Sequence, residues 1–69
     1  MENYKMNDNI YIYEMVERGL KNTKYENDNN TFDEIINNVF TEYLELMINN
    51  VKTTYDELIK NELLRLGIA

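Results

Sequence analysis

Carboxylates are the acid–base material this sequence offers. Asp33–Glu34 and Asp56–Glu57 stand as adjacent pairs, and a carboxylate pair does acid–base work only when both groups face one substrate. Neighbouring helical residues point about 100° apart, so neither pair converges. Both pairs belong instead to a repeated pattern, Thr31-Phe32-Asp33-Glu34 and Thr54-Tyr55-Asp56-Glu57. That pattern is a capping box: the Thr hydroxyl accepts from the amide three residues on, and the Glu there reaches back to the Thr amide. Acids in a first helical turn also suit the positive end of the helix dipole. The pairs therefore announce two helix starts rather than a catalytic site, and no catalytic residue is assigned.

Metal chemistry has one candidate. Glu26, Asp28 and Asn30 alternate as the first ligands of a calcium-binding EF-hand loop do, with Glu34 at the ninth position. The Gly needed at the sixth position is Thr31, however, and the bidentate Glu needed at the twelfth is Asn37. No metal and no cofactor is expected.

The missing residue types exclude more. There is no Ser, His, Cys, Trp, Pro or Gln, so Ser–His and Cys–His nucleophiles, thiol redox chemistry and His proton shuttles are all absent. Gly19 and Gly67 are the only glycines, which rules out a glycine-rich phosphate loop. The expectation is a protein that is not an enzyme.

A chain of 69 residues makes one small domain whose core is marginal unless something reinforces it. Without Cys or His, neither disulfides nor the common zinc sites can do so, which leaves unusually good helix packing or association with another chain, and association is the expectation. Lack of Cys fits the cytoplasm, no signal peptide is read, and no apolar run is long enough to span a membrane. Asn occurs 12 times, beside many Ile, Tyr and Lys. All have AT-rich codons, a bias that fits a phage or mobile element.

Net charge is −6, unevenly placed. Residues 1–25 balance to zero, and residues 58–69 carry +1. Residues 26–57 carry eight acids against Lys52 alone, a net −7. Such a field selects partners and speeds encounter.

The elements that must position these groups follow from periodicity. Residues 1–8 read as a frayed start. Ile10-Tyr11-Ile12-Tyr13 alternates like a strand, but Ile12, Met15, Val16 and Leu20 share one helical stripe. This gives helix 1 over 9–22 with Asp8 as its cap; a two-stranded arrangement in a symmetric dimer is the alternative. Asn and Asp then dominate a loop at 23–31. Helix 2, over 32–50 behind a Thr31 cap, carries apolar residues from Phe32 to Val51 at 3.6-residue spacing. They cover about half its circumference, more than the roughly 100° one small core requires, so helix 2 is expected to pack on two sides and to dimerise the chain. Asn49-Asn50 can end helix 2 and Thr53-Thr54 can start helix 3, over 55–66 with Gly67 as stop. A single bent helix is the alternative. The fold class is therefore all-α: a small three-helix domain with helices 2 and 3 as a hairpin, forming a homodimer.

Function is read from the surfaces left over. Glu34, Glu42 and Glu45 line the polar face of helix 2 with no Lys one turn on. Tyr4, Tyr11, Tyr13 and Tyr25 lie outside the core stripe, and Tyr suits interfaces because it covers much area with little rotamer entropy to lose. Glu34, Glu42, Glu45, Tyr11, Tyr13 and Tyr25 are the candidate partner-binding residues. The leading reading is a protein–protein interaction module, a phage-type inhibitor whose acidic face mimics nucleic acid. It would dock on a basic host protein, such as a nuclease or another nucleic-acid-handling enzyme. Small acidic phage proteins resemble this chain in charge and size. The alternative is a dimeric DNA-binding regulator using Arg18, Lys21 and Lys24, although direct nucleic-acid binding is disfavoured by so few bases.

Overall fold

A computed structural model describes the backbone of residues 2–68 and the side chains of residues 10–68. Tyr4 therefore lies outside the described side chains. The chain forms three helices, α1 (Glu2–Leu20), α2 (Asn29–Ile48) and α3 (Tyr55–Arg65). Among the described residues there is no strand, so Ile10–Tyr13 belong to a helix.

Helix α1 starts well before the residue 9 expected from the pattern and stops at Leu20 rather than 22. No Pro or Gly precedes Gly19 to interrupt it, so the backbone is helical through the polar segment expected to fray, and Asp8 lies inside the helix instead of capping it. Ile12, Val16 and Leu20, four residues apart, are buried, and Met15 packs against them. Past Leu20 the chain turns through Asn22 in the left-handed region (φ 67°), a conformation Asn tolerates. The Thr23 amide and hydroxyl both donate to the Leu20 carbonyl, at 3.1 and 2.6 Å.

The start of α2 also departs from expectation. Asp28, not Thr31, is the N-cap. Its Oδ1 accepts from the Thr31 amide at 3.2 Å and its Oδ2 from the Thr31 hydroxyl at 2.9 Å. Two cap residues stand three positions apart here, and the Asp offers two acceptor oxygens where the Thr offers one hydroxyl. Thr31 thus becomes an interior residue, buried against the core. The second pattern does cap: Thr54 Oγ1 accepts from the Glu57 amide at 3.2 Å and opens α3.

Between α2 and α3 the helix is broken, as Asn49-Asn50 suggested. Asn50 is left-handed (φ 61°), the Asn50 amide donates to the Met47 carbonyl, and the Val51 amide donates to the Leu46 carbonyl at 2.8 Å. This is a Schellman closure. Helix α3 ends the same way around Gly67 (φ 79°), with the Ile68 amide donating to the Leu63 carbonyl at 2.9 Å.

Helices α2 and α3 form an antiparallel hairpin. At one end Tyr43 stacks on Tyr55 (4.2 Å between ring centroids) and Phe40 meets Tyr55 edge-on. At the other, Asn38 Nδ2 donates to Glu62 Oε1 at 3.0 Å. Helix α1 lies against both: Tyr13 tilts on Phe32, and Gly19 sits under Leu63. Eight apolar side chains form the core, Ile12, Val16, Leu20, Ile35, Ile36, Val39, Leu58 and Ile59. Helix α2 contributes only its first half. Leu44, Met47, Ile48 and Val51, all placed on its apolar arc, are exposed, whereas Leu46 packs inward.

Gly19 has a packing role that outweighs its weak helix propensity. A Cβ built there would lie 2.7 Å from Leu63 Cδ1, so the residue lets α1 and α3 approach. Gly19→Val is expected to destabilise the fold by about 1–3 kcal/mol, as overpacking does. In urea denaturation the Gly19→Val/Leu63→Ala double variant should lose less than the two single losses added together.

Candidate interaction surfaces

Each candidate residue takes its position from the hairpin and from α1. Glu34 and Asn38, one turn apart on α2, both face the end of α3. Arg65 Nη2 lies 3.6 Å from Glu34 Oε2 and 2.9 Å from Glu62 Oε1, and the same Glu62 oxygen accepts from Asn38. Glu34 is therefore partly neutralised, by a cation that one-turn spacing on α2 could not reveal. Glu42 and Glu45 are exposed further along the helix, and neither carboxylate has an ion-pair partner among the described residues.

The tyrosines divide. Tyr11 is exposed, yet its hydroxyl donates to Asp56 Oδ1 at 2.9 Å, tying α1 to the first turn of α3. Tyr13 is exposed and leans on Phe32. Tyr25 packs against the core from the α1–α2 loop, with Lys24 Nζ 5.3 Å above its ring. Each of the three tyrosines thus has a contact within the chain: Tyr11 with Asp56, Tyr13 with Phe32 and Tyr25 with the core.

A second acidic surface escaped the sequence reading. Ile10, Tyr13 and Phe32 line a groove of about 570 Å3 whose rim carries Glu14, Glu17, Glu26 and Asp28. Glu14 and Glu17 belong to the segment whose charges cancel in sequence, but folding sets them beside the first acids of the −7 segment. Their placement opposite the Ile12–Val16–Leu20 stripe was the available signal. The bases proposed for DNA contact are interleaved with acids: Arg18 and Lys21 share a depression with Glu17 and Glu26.

The EF-hand-like spacing does not assemble a site. Asp28 is the α2 cap, residues from Asn29 onward are helical, and Glu34 reaches Arg65. Among the described residues no three potential ligands cluster as a metal ion would require. No described helix is long and apolar enough to cross a membrane. Comparison with protein-family models, with curated proteins and with solved structures finds no match.

Three ionisable groups are tuned by these contacts, and the Arg65 guanidinium is pushed up, first by its hydrogen bond to Glu62. The Asp28 carboxyl is held below its ordinary range, first by the Thr31 amide and then by the Thr31 hydroxyl. A depressed folded-state value contributes stability that is present above the unfolded value and lost as pH falls through the folded one. Acid unfolding followed by circular dichroism should therefore shift when Asp28→Asn, which keeps a cap acceptor, removes this titration. The Tyr11 phenol is pushed up, first by its hydrogen bond to Asp56, then by lost hydration and the Asp56 charge, with Arg18 opposing. Its contribution is present below the ordinary tyrosine range and lost as pH rises through the folded value. In a tyrosinate absorbance titration, Tyr11→Phe should remove one phenol that ionises above that range.

Proposed function

We propose that this protein is a non-enzymatic interaction module that works as a cytoplasmic homodimer. Its acidic α2 face docks on a basic, nucleic-acid-binding surface of a host protein, in the manner of a phage or mobile-element inhibitor. A nuclease or another nucleic-acid-handling enzyme fits that description. The observation carrying this reading is that Glu42 and Glu45 stand exposed without a counter-charge, within a segment of net −7. Carboxylates spaced along a rigid helix can occupy the positions where a groove expects phosphates, and desolvated pairing with Lys and Arg then gives specificity and a fast on-rate. Arg65 takes Glu34 partly out of this set, so Glu42 and Glu45 carry the larger share of the field.

Immobilised protein should retain nucleic-acid-binding proteins from a bacterial lysate, and duplex DNA should displace them. The Glu42→Lys variant, altered at one exposed position without an ion-pair partner, should keep its helicity and weaken retention by about tenfold. Retention that survives both DNA competition and charge reversal would remove the basis for nucleic-acid mimicry.

A further inference from the structure

We propose that the exposed end of α2 is the surface on which a second copy of this chain docks, with Ile48 of each copy entering a groove of the other. The last buried side chain of α2 is Val39, and the helix continues to Ile48. Along that extension Leu44 is 59% exposed, Met47 56% and Ile48 79%, and Val51 just beyond is 48%. Spacings of three and four residues make Leu44, Met47 and Ile48 neighbours on the helix, and Val51, past the Asn50 turn, lines one groove with Met47. Helices in water depend on covering such a face, and this one has no cover among the described residues.

A groove of about 680 Å3 opens beside the patch, between the end of α2 and the start of α3. Tyr43, Met47 and Val51 supply its apolar wall, and Lys52, Thr53 and Glu57 line the rest of it. Ile48, the most exposed large apolar residue described, adjoins that wall without lining it. A knob and a hole on adjoining sides of one helix end are what a two-fold axis requires: the knob of each copy meets the hole of the other.

One pair of opposite charges fits a second copy, although the chain as a whole is acidic. Lys52 is the sole base of residues 26–57, and no ion pair holds it among the described residues. Glu45, one turn before Ile48, is likewise without an ion-pair partner. With α2 antiparallel to its counterpart and Ile48 seated in the groove, Glu45 of one copy approaches Lys52 of the other, and symmetry makes this pair twice. Knob, hole, acid and base thus all lie on one self-complementary surface. Two such faces with their polar rims cover on the order of 1,000 Å2, the threshold of a specific interface. This interface rests on the homodimer reading above; it draws Glu45 into the seam between copies and leaves Glu42 on the face offered to the basic partner.

Sedimentation equilibrium of the full chain alone, up to about 0.5 mM, tests it. The wild type should show twice the 8.3 kDa chain mass. Ile48→Glu should weaken the dimer by about a hundredfold while circular dichroism stays unchanged. Leu64→Glu, at an exposed position near the other end of α3, should leave it intact. Glu45→Lys and Lys52→Glu should each weaken association, and the two changes combined in one chain should restore it. A monomeric wild type, a dimer indifferent to Ile48→Glu, or a combined swap that restores nothing would overturn the proposal. DNA-displaceable retention by the Ile48→Glu variant reads the acidic-face function separately.

Discussion

Three short helices must share eight apolar side chains, and the rest of the molecule is arranged around that scarcity. Burying an isoleucine or leucine stabilises by about 1.5–3 kcal/mol before the ordering cost of the chain is met, so no core contact is redundant. Each helix places its inward stripe at one meeting point: Ile12, Val16 and Leu20 from α1, Ile35, Ile36 and Val39 from α2, Leu58 and Ile59 from α3. Gly19 lets α1 come close enough to α3 to complete the contact. Where α2 runs past this point, none of the described residues covers Leu44, Met47 and Ile48.

Polar groups then fix the helices to one another. Arg65 joins Glu62 and Glu34, Glu62 also receives Asn38, and Tyr11 joins Asp56. Among the described residues no buried side-chain nitrogen or oxygen lacks a partner. Exposed pairs of this kind add little energy, but they link residues far apart in sequence and so set helix orientation. They also remove charges from the surface field. Glu34 is drawn into the α2–α3 contact, whereas Glu42 and Glu45 keep their charge for another molecule.

Much of the architecture was legible because periodicity is a local property. The stripe of Ile12, Val16 and Leu20, the Asn50 break, the Thr54 cap and the Gly67 stop all depend on residues within a turn or two. Asp28 and Thr31 were harder, since both are good caps and only the packing of Thr31 into the core decides between them. Reading an apolar arc on α2 was sound, but periodicity cannot say how far neighbouring helices extend to cover it. The surfaces were less legible still. The groove below Glu14, Glu17, Glu26 and Asp28 and the partner of Glu34 each need residues brought together across the chain.

The stacked pair of Tyr43 and Tyr55 has a consequence for observing this molecule. Two phenol rings 4.2 Å apart and nearly parallel couple their electronic transitions, and the chiral frame of the hairpin gives that coupling a sign. Tryptophan, which would dominate the same spectral region, is absent from the chain. The part of the near-ultraviolet ellipticity that is lost when Tyr43 is replaced by Leu is therefore a local gauge of whether the end of α2 and the start of α3 remain joined, read without any attached label.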